Sequence, residues 1–237
     1  TRQLLDQYGQ ALPPAPFDPL AAGHYHWHIH RDLYANLADL QAAFEAYQAA
    51  EAREPMAQTA VELFDSYWRA SLYRQAHPYG QLAYRLNPEI ENPRFLNNLG
   101  HASHHLGAYD LALEVLQRAL PQYQAKEDKS GEGTTLNNIS QIFKARGDYA
   151  TALSYLEQSL AIVREIGDKA GVGQSLNNIS QVYDARGDYA TALTYLEQSL
   201  AIRREIGDKS GEGTTLNNIS QIFKARGDYA TALTYLE

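Results

Sequence analysis

One short string, Leu-Asn-Asn-Ile-Ser, recurs along the chain at a constant spacing of 40 residues, and a variant, Leu-Asn-Asn-Leu-Gly, stands one period upstream. Between residues 133–157 and 213–237, only one of 25 positions differs, Ser154 against Thr234. Such self-similarity is typical of a tandem array in which each small unit buries its apolar face against its neighbours. The repeated string begins at Leu136, Leu176 and Leu216, and the variant begins at Leu96.

Each period predicts two amphipathic helices. Apolar residues at i, i+3 and i+7 are followed, after Gly147-Asp148, by a second set with the same helical spacing. Gly147 suits the left-handed conformation that closes a helix, and Asp148 can accept hydrogen bonds from the free N–H groups that open the next one. The turn-forming segment 167–171 is expected to link one helix pair to the next. The two apolar sets are Leu136, Ile139 and Phe143, then Tyr149, Ala152, Leu153, Leu156 and Leu160.

A period of 40 also suits HEAT and armadillo repeats, so the side-chain pattern decides between them. The unit from residue 93 resembles the tetratricopeptide repeat (TPR), and the later units keep that pattern but carry Ser140 and Ser159 where the family usually has Gly and Ala. The resemblance implies an all-α fold, a right-handed α-solenoid of antiparallel helix pairs, the TPR superhelix. The positions that carry it are Leu96, Leu99, Gly100, Gly107, Tyr109, Ala112, Leu116 and Ala119.

The resemblance also implies a division of the chain. Residues 93–237 form three regular 40-residue units and a truncated fourth, and residues 24–92 form two degenerate units, with Phe64 at a normally small position. Residues 1–23 read as a short helix and a Pro-rich linker, either the end of a preceding domain or a disordered terminus. With Thr1 first and Met56 the only methionine, we expect a piece of a longer protein.

Composition excludes several functions. A net charge of −8, from 20 basic and 28 acidic residues, argues against a nucleic-acid partner, and the short apolar runs argue against a membrane. The absence of cysteine rules out disulfides and thiolate chemistry and is compatible with a cytoplasmic location. No phosphate-binding loop, nucleophile elbow or zincin motif is present, so we expect neither an enzyme nor a cofactor.

In the TPR family, the first helix of each unit lines a concave groove that binds a protein or peptide. Four asparagines at one groove position, Asn98, Asn138, Asn178 and Asn218, form a predicted ladder whose carboxamides can pair with an extended peptide, as similarly placed asparagines do in kinesin light chains and bacterial peptide-sensing TPR regulators. The alternative is that they merely face solvent or bond the adjoining repeat. The groove positions, carried over residue by residue, are Asn97, Asn98, His101, His104, His105, Asn137, Asn138, Gln141, Lys144, Asn177, Asn178, Gln181, Asp184, Asn217, Asn218, Gln221 and Lys224.

The groove is expected to be polar and roughly neutral. In the units from residue 93 onward, Arg94 is the only basic residue at the positions where the family's carboxylate clamp needs cations, so recognition of a C-terminal carboxylate is disfavoured. Selectivity is expected to depend instead on the alternating charges of Lys144, Asp184 and Lys224.

Two histidine clusters are candidates for chemistry. Within 24–30, His24 with His28, or His26 with His30, could share a metal ion, although no carboxylate completes either pair and a structural or tag-like role is the alternative. The second cluster, His101, His104 and His105, is predicted to contact the ligand or to respond to pH. The sequence therefore predicts no metal site.

The leading hypothesis is a peptide- or protein-binding scaffold or sensor module of a larger bacterial signalling protein. The alternative is a structural module that self-associates by stacking through its solenoid ends. The apolar residues expected to be exposed for that purpose in the C-terminal repeat are Leu216, Ile219, Phe223 and Leu233.

Overall fold

The computed structural model describes residues 37–236, and within this range the chain forms eleven α-helices and no β-strand. The predicted N-terminal segment, the first half of the unit from residue 24 and the histidine run 24–30 lie outside the described residues. The helices are α1 (Leu37–Ala49), α2 (Arg53–Arg69), α3 (Tyr73–Leu86), α4 (Pro93–His105), α5 (Tyr109–Ala125), α6 (Lys129–Ala145), α7 (Tyr149–Glu165), α8 (Lys169–Ala185), α9 (Tyr189–Glu205), α10 (Lys209–Ala225) and α11 (Tyr229–Thr234).

The chain divides into two compact units, residues 1–107 and 108–237. In the described part of the first, α2 packs against α1 and α3, and α3 packs against α4. Phe64, at the position where a small residue was expected, is fully buried. Gly80 provides the space, because a Cβ atom there would lie 2.7 Å from Phe64 Cδ2. A large residue on α2 is thus balanced by a glycine on α3.

In the second unit, consecutive helices pack as antiparallel pairs, α6 with α7 and α8 with α9, and each pair packs on the next. This arrangement confirms the predicted all-α repeat solenoid. The apolar positions read from the sequence form the core, including Leu136, Ile139, Ala152 and Leu156. The same aromatic stack recurs in three successive pairs, with ring centroids 5.6 Å apart: Phe143 with Tyr155, Tyr183 with Tyr195, and Phe223 with Tyr235, which directly follows α11.

The turns divide the 40-residue period into equal halves. Helices α6 to α10 each have 17 residues, and three-residue turns separate them. Gly147 has a φ of 77°, and Asp148 accepts a hydrogen bond from the Thr151 N–H at 3.1 Å, which confirms the predicted turn. The left-handed backbone favours glycine because it has no Cβ.

The predicted linker 167–171 is wrong in extent. The turn ends at Asp168, which caps α8 by accepting a hydrogen bond from the Gly171 N–H at 2.9 Å, and α8 begins at Lys169. Gly171 lies inside the helix, where a Cβ would collide first with the Asp168 carboxylate that caps α8 and would also approach Val163 Cγ1 to 2.9 Å. This glycine therefore leaves room for the cap and for the neighbouring helix and does not form a turn, and residue type alone did not distinguish these roles.

The serines at the small-residue positions are buried and hydrogen-bonded. Ser159 Oγ donates to the Gly133 carbonyl at 2.8 Å, and Ser199 Oγ donates to Gly173 at the same distance one repeat later. Ser140 Oγ donates to the Asn137 carbonyl within its own helix. The hydroxyls are therefore satisfied although the side chains are inaccessible to solvent.

One substitution between otherwise similar repeats places a cation in the core. Arg203 stands where the preceding repeat has Val163 and is only 5% exposed. Its guanidinium donates to Asp208 Oδ2 and to Gln174 Oε1. The Gly211 N–H and the Arg203 guanidinium together hold the pKa of Asp208 below its usual value. Asp208 therefore caps α10 and also neutralises a buried charge.

The chain contains a matched pair that separates these two roles. We expect Asp168→Ala to lower the free energy of unfolding by about 1 kcal/mol, because it removes only a helix cap. Asp208→Ala should lower it by clearly more, because it also leaves the buried Arg203 charge without its carboxylate. Urea denaturation measures both variants, and equal losses would contradict the role assigned to Asp208. Adding Arg203→Val to Asp208→Ala should reduce the loss in the free energy of unfolding to about that of Asp168→Ala.

Candidate functional site

The first helices of successive repeats in the second unit, α6, α8 and α10, lie side by side and are joined by asparagines. Asn178 Nδ2 donates to Asn137 Oδ1 at 2.7 Å, and Asn218 Nδ2 donates to Asn177 Oδ1 at 2.9 Å. The same contact thus occurs at both repeat boundaries. Asn178 Oδ1 in turn accepts from Gln174 Nε2 at 3.1 Å.

A charged patch lies one to two helical turns further along the same helices. Lys144 Nζ donates to Gln181 Oε1 across the boundary between α6 and α8 at 2.6 Å. Burial lowers the pKa of Lys144, and the nearby Asp184 carboxylate opposes this effect. Burial likewise raises the pKa of Asp184, opposed by Lys144. The patch therefore combines a cation and an anion, and neither sign of charge predominates.

The predicted groove positions of the second unit differ in exposure. Asn177 and Asn178 are buried, at 1% and 5% exposure. Side chains on the face of α6 and α8 that remain half-buried are Asn137, Asn138, Gln141, Lys144, Gln181 and Asp184. On α10, Asn218 is half-buried, whereas Asn217, Gln221 and Lys224 are exposed.

One donor on this face lacks a partner. Gln141 Nε2 is buried and forms no hydrogen bond in the structure. Leaving a buried amide N–H unpaired is unfavourable by about 1–3 kcal/mol. Gln141 is one helical turn from Lys144, so unused hydrogen-bonding capacity lies next to the charged patch.

In the first unit, the predicted positions on α4 form an aromatic and imidazole cluster. Asn97 is buried and Asn98 is half-buried. His101 Nε2 and His105 Nε2 lie 3.3 Å apart, and the His104 ring lies beside that of His105. Burial, followed by the neighbouring His105 and His104, lowers the pKa of His101 to about 4. His101 is therefore neutral at physiological pH.

The residues that enclose these histidines were not identified in the sequence. Trp68, at the end of α2, meets the His101 ring edge-on, with centroids 5.2 Å apart. Tyr73, at the start of α3, stacks on His105 with centroids 5.9 Å apart. A second contact that was missed joins His77 Nε2 to Ser103 Oγ at 3.0 Å, but Ser103 is fully buried and inaccessible as a nucleophile. No sequence motif indicates any of these contacts, because they join separate helices.

Two features of the described part of the chain bear on other functions. No helix between residues 37 and 236 is long and apolar enough to cross a membrane. In the same range, no group of three or more His, Asp or Glu side chains is arranged to hold a metal ion. The histidine run 24–30 lies outside this range.

Stacked antiparallel helix pairs with a polar face along their first helices define a helical repeat protein of the α-solenoid class. The tetratricopeptide repeat model matches three overlapping segments, residues 93–165, 132–205 and 171–237. The chain therefore belongs to the tetratricopeptide repeat family. No curated protein sequence matches it.

Solved structures support the fold at low sequence identity. BtubC (BKLC) from P. vanneervenii matches with a TM-score of 0.59 and 20% identity, over 92% of this chain and 87% of that one. A Rap protein in complex with Competence and Sporulation Factor matches with a TM-score of 0.65 and 14% identity, over 99% and 73%. A putative kinesin light chain of Podosopora anserina with nearly identical TPR-like repeats gives 0.57 and 17%, over 76% and 90%.

The asparagine contacts predict a measurable role in stability. Asn178→Ala should lower the free energy of unfolding by about 1–2 kcal/mol, because it removes two part-buried hydrogen bonds, to Asn137 Oδ1 and from Gln174 Nε2. The matched control is Asn217→Ala, at an exposed position on α10, which should change it by less than about 0.5 kcal/mol. Chemical denaturation gives both values. An Asn178→Ala protein as stable as the control would show that the contact between repeats contributes nothing.

Proposed function

We propose that this chain is a protein- or peptide-binding scaffold, and that its second unit binds an extended segment along the face formed by α6, α8 and α10. The observation that carries the proposal is the bond between Lys144 and Gln181, which sets a cation beside Asp184 from the next repeat on a half-buried face. Amide and charged groups in one row can pair with the alternating N–H and C=O groups of an extended backbone.

The predicted groove residues have different roles under this proposal. Asn177 and Asn178 are buried and join repeats. The residues that contact a ligand directly are the more accessible Asn138, Gln141, Gln181 and Asp184. A rotation of the Gln141 side chain would bring its unpaired N–H to a ligand carbonyl. Ligand binding would then remove the cost of an unsatisfied donor.

Support for a protein partner also comes from the family and from one of its structural neighbours. The Rap protein that shares this fold was solved with a bound factor. We extend the proposal to a sensor module of a larger bacterial signalling protein that acts in the cytoplasm. In that arrangement the repeat array recognises the partner and another domain acts.

A random dodecapeptide library displayed on phage tests the groove. Peptides selected against the native chain should lose about tenfold or more in affinity for Asp184→Asn, because a hydrogen bond to a charged group contributes about 1.5–3 kcal/mol. The matched control, Glu197→Gln, makes the same chemical change at an exposed position on the second helix α9 and should leave the affinity unchanged. Fluorescence anisotropy measures both. The proposed peptide-binding site is ruled out if no peptide is selected, or if the two variants bind the selected peptides with equal affinity.

Self-association is a second candidate, favoured by the C-terminal helix pair. Leu236 is 59% exposed, whereas its counterpart Leu196 is 1% exposed, and Tyr229 and Leu233 are also exposed. The exposed apolar residues differ from those expected from the sequence. Ile219 is buried, and Phe223 stacks on Tyr235. The site would be an apolar face that takes a second copy of the chain.

Light scattering over a concentration series tests this candidate. The mass should rise above that of the monomer with concentration, and Leu233→Glu should abolish the rise by placing a charge on the apolar face. Ile206→Glu, at an exposed apolar turn residue elsewhere, is the matched control and should still associate. A constant monomer mass for the native chain at every concentration would rule out self-association.

A further inference from the structure

The two facing imidazoles on α4 have the separation that a shared metal ion requires. His101 and His105 are four residues apart on one helix, and their Nε2 atoms lie 3.3 Å apart. Zinc–imidazole bonds are about 2.0–2.1 Å long, so two nitrogens at this separation subtend about 107° at the metal, close to the tetrahedral angle. The separation thus suits a chelate as well as it suits a hydrogen bond between the rings.

Aromatic neighbours hold both rings in this arrangement. Trp68 meets His101 edge-on, and Tyr73 stacks nearly parallel to His105, with an interplanar angle of 9°. Tyr73 also contacts the edge of the His101 ring, with centroids 5.9 Å apart. Ligands fixed by packing lose little conformational freedom when a metal binds, which favours binding.

The position on the helix also favours a cation. Both histidines lie in the last two turns of α4, which ends at His105, and the carbonyl end of a helix carries partial negative charge. His105 is exposed, so water can reach the site and supply the remaining ligands. His105 and Arg74 line a depression of about 350 Å³, but Arg74 is exposed, and solvent and salt screen its charge.

We propose that His101 and His105 form a two-imidazole binding site for a divalent transition-metal ion of the Zn²⁺ type, completed by water. Imidazole ligands suit Zn²⁺, Cu²⁺ and Ni²⁺ and do not suit Mg²⁺ or Ca²⁺. Within the described residues no third His, Asp or Glu completes the set, so the ion is exchangeable rather than structural. This site is independent of the peptide-binding face on α6, α8 and α10.

The test must separate this site from the histidine run at the N-terminus. In the full chain, His24, His26, His28 and His30 are replaced by Asn, and Trp27→Phe leaves Trp68 as the only tryptophan. Zn²⁺ binding is measured by calorimetry. Cu²⁺ binding is measured by the quenching of Trp68 fluorescence, which requires the ion to lie near that ring.

We expect one equivalent of Zn²⁺ to bind, and Cu²⁺ to quench Trp68 with a saturating curve. His105→Gln, at an exposed position that should not affect folding, should weaken both at least about tenfold, because even groups outside the first coordination sphere change metal affinity by about 10–100-fold. His101→Gln should do the same. The neighbouring His104→Gln is the matched control and should leave both affinities unchanged. Unsaturable binding, an unchanged affinity in His105→Gln, or an equal loss in His104→Gln would overturn the proposal.

Discussion

The burial of apolar faces between successive helix pairs is the interaction on which the rest of this structure depends. A single pair such as α6 and α7 cannot cover the apolar residues on both of its sides, so each pair requires the next. The equal division of the period into 17-residue helices and three-residue turns keeps every pair in the same register. Because the register is fixed, contacts between repeats, such as the asparagine pairs, recur at the same place.

The same sequence acquires different properties at different places in the array. Asn178 is buried, whereas its counterpart Asn218 is only half-buried. Burial is a property of the neighbours and not of the repeat itself. For this reason, the predicted asparagine ladder consists in part of contacts that hold repeats together and in part of groups still available to a ligand.

Departures from the repeat identify the places where individual sites arise. Arg203, in place of valine, requires Asp208 and Gln174 as partners in the core. Phe64 requires a glycine on the facing helix. The histidines of α4 replace the polar residues found on α6, α8 and α10, and aromatic rings from α2 and α3 hold them in place. Each exception is compensated by a residue from another helix, and these partners were not identified in the sequence.

The sequence by itself determined the fold class, the family, the helix pairs, the turns at Gly147 and its repeats, and most of the core, because periodicity and turn chemistry are local properties of the chain. It also located the face of the first helices on which the candidate groups lie. Only the tertiary structure decided that Gly171 lies inside a helix, that Asn177 and Asn178 are buried, and that the Nε2 atoms of His101 and His105 lie 3.3 Å apart. These features depend on which side chains meet across helix boundaries, and packing in three dimensions fixes such contacts.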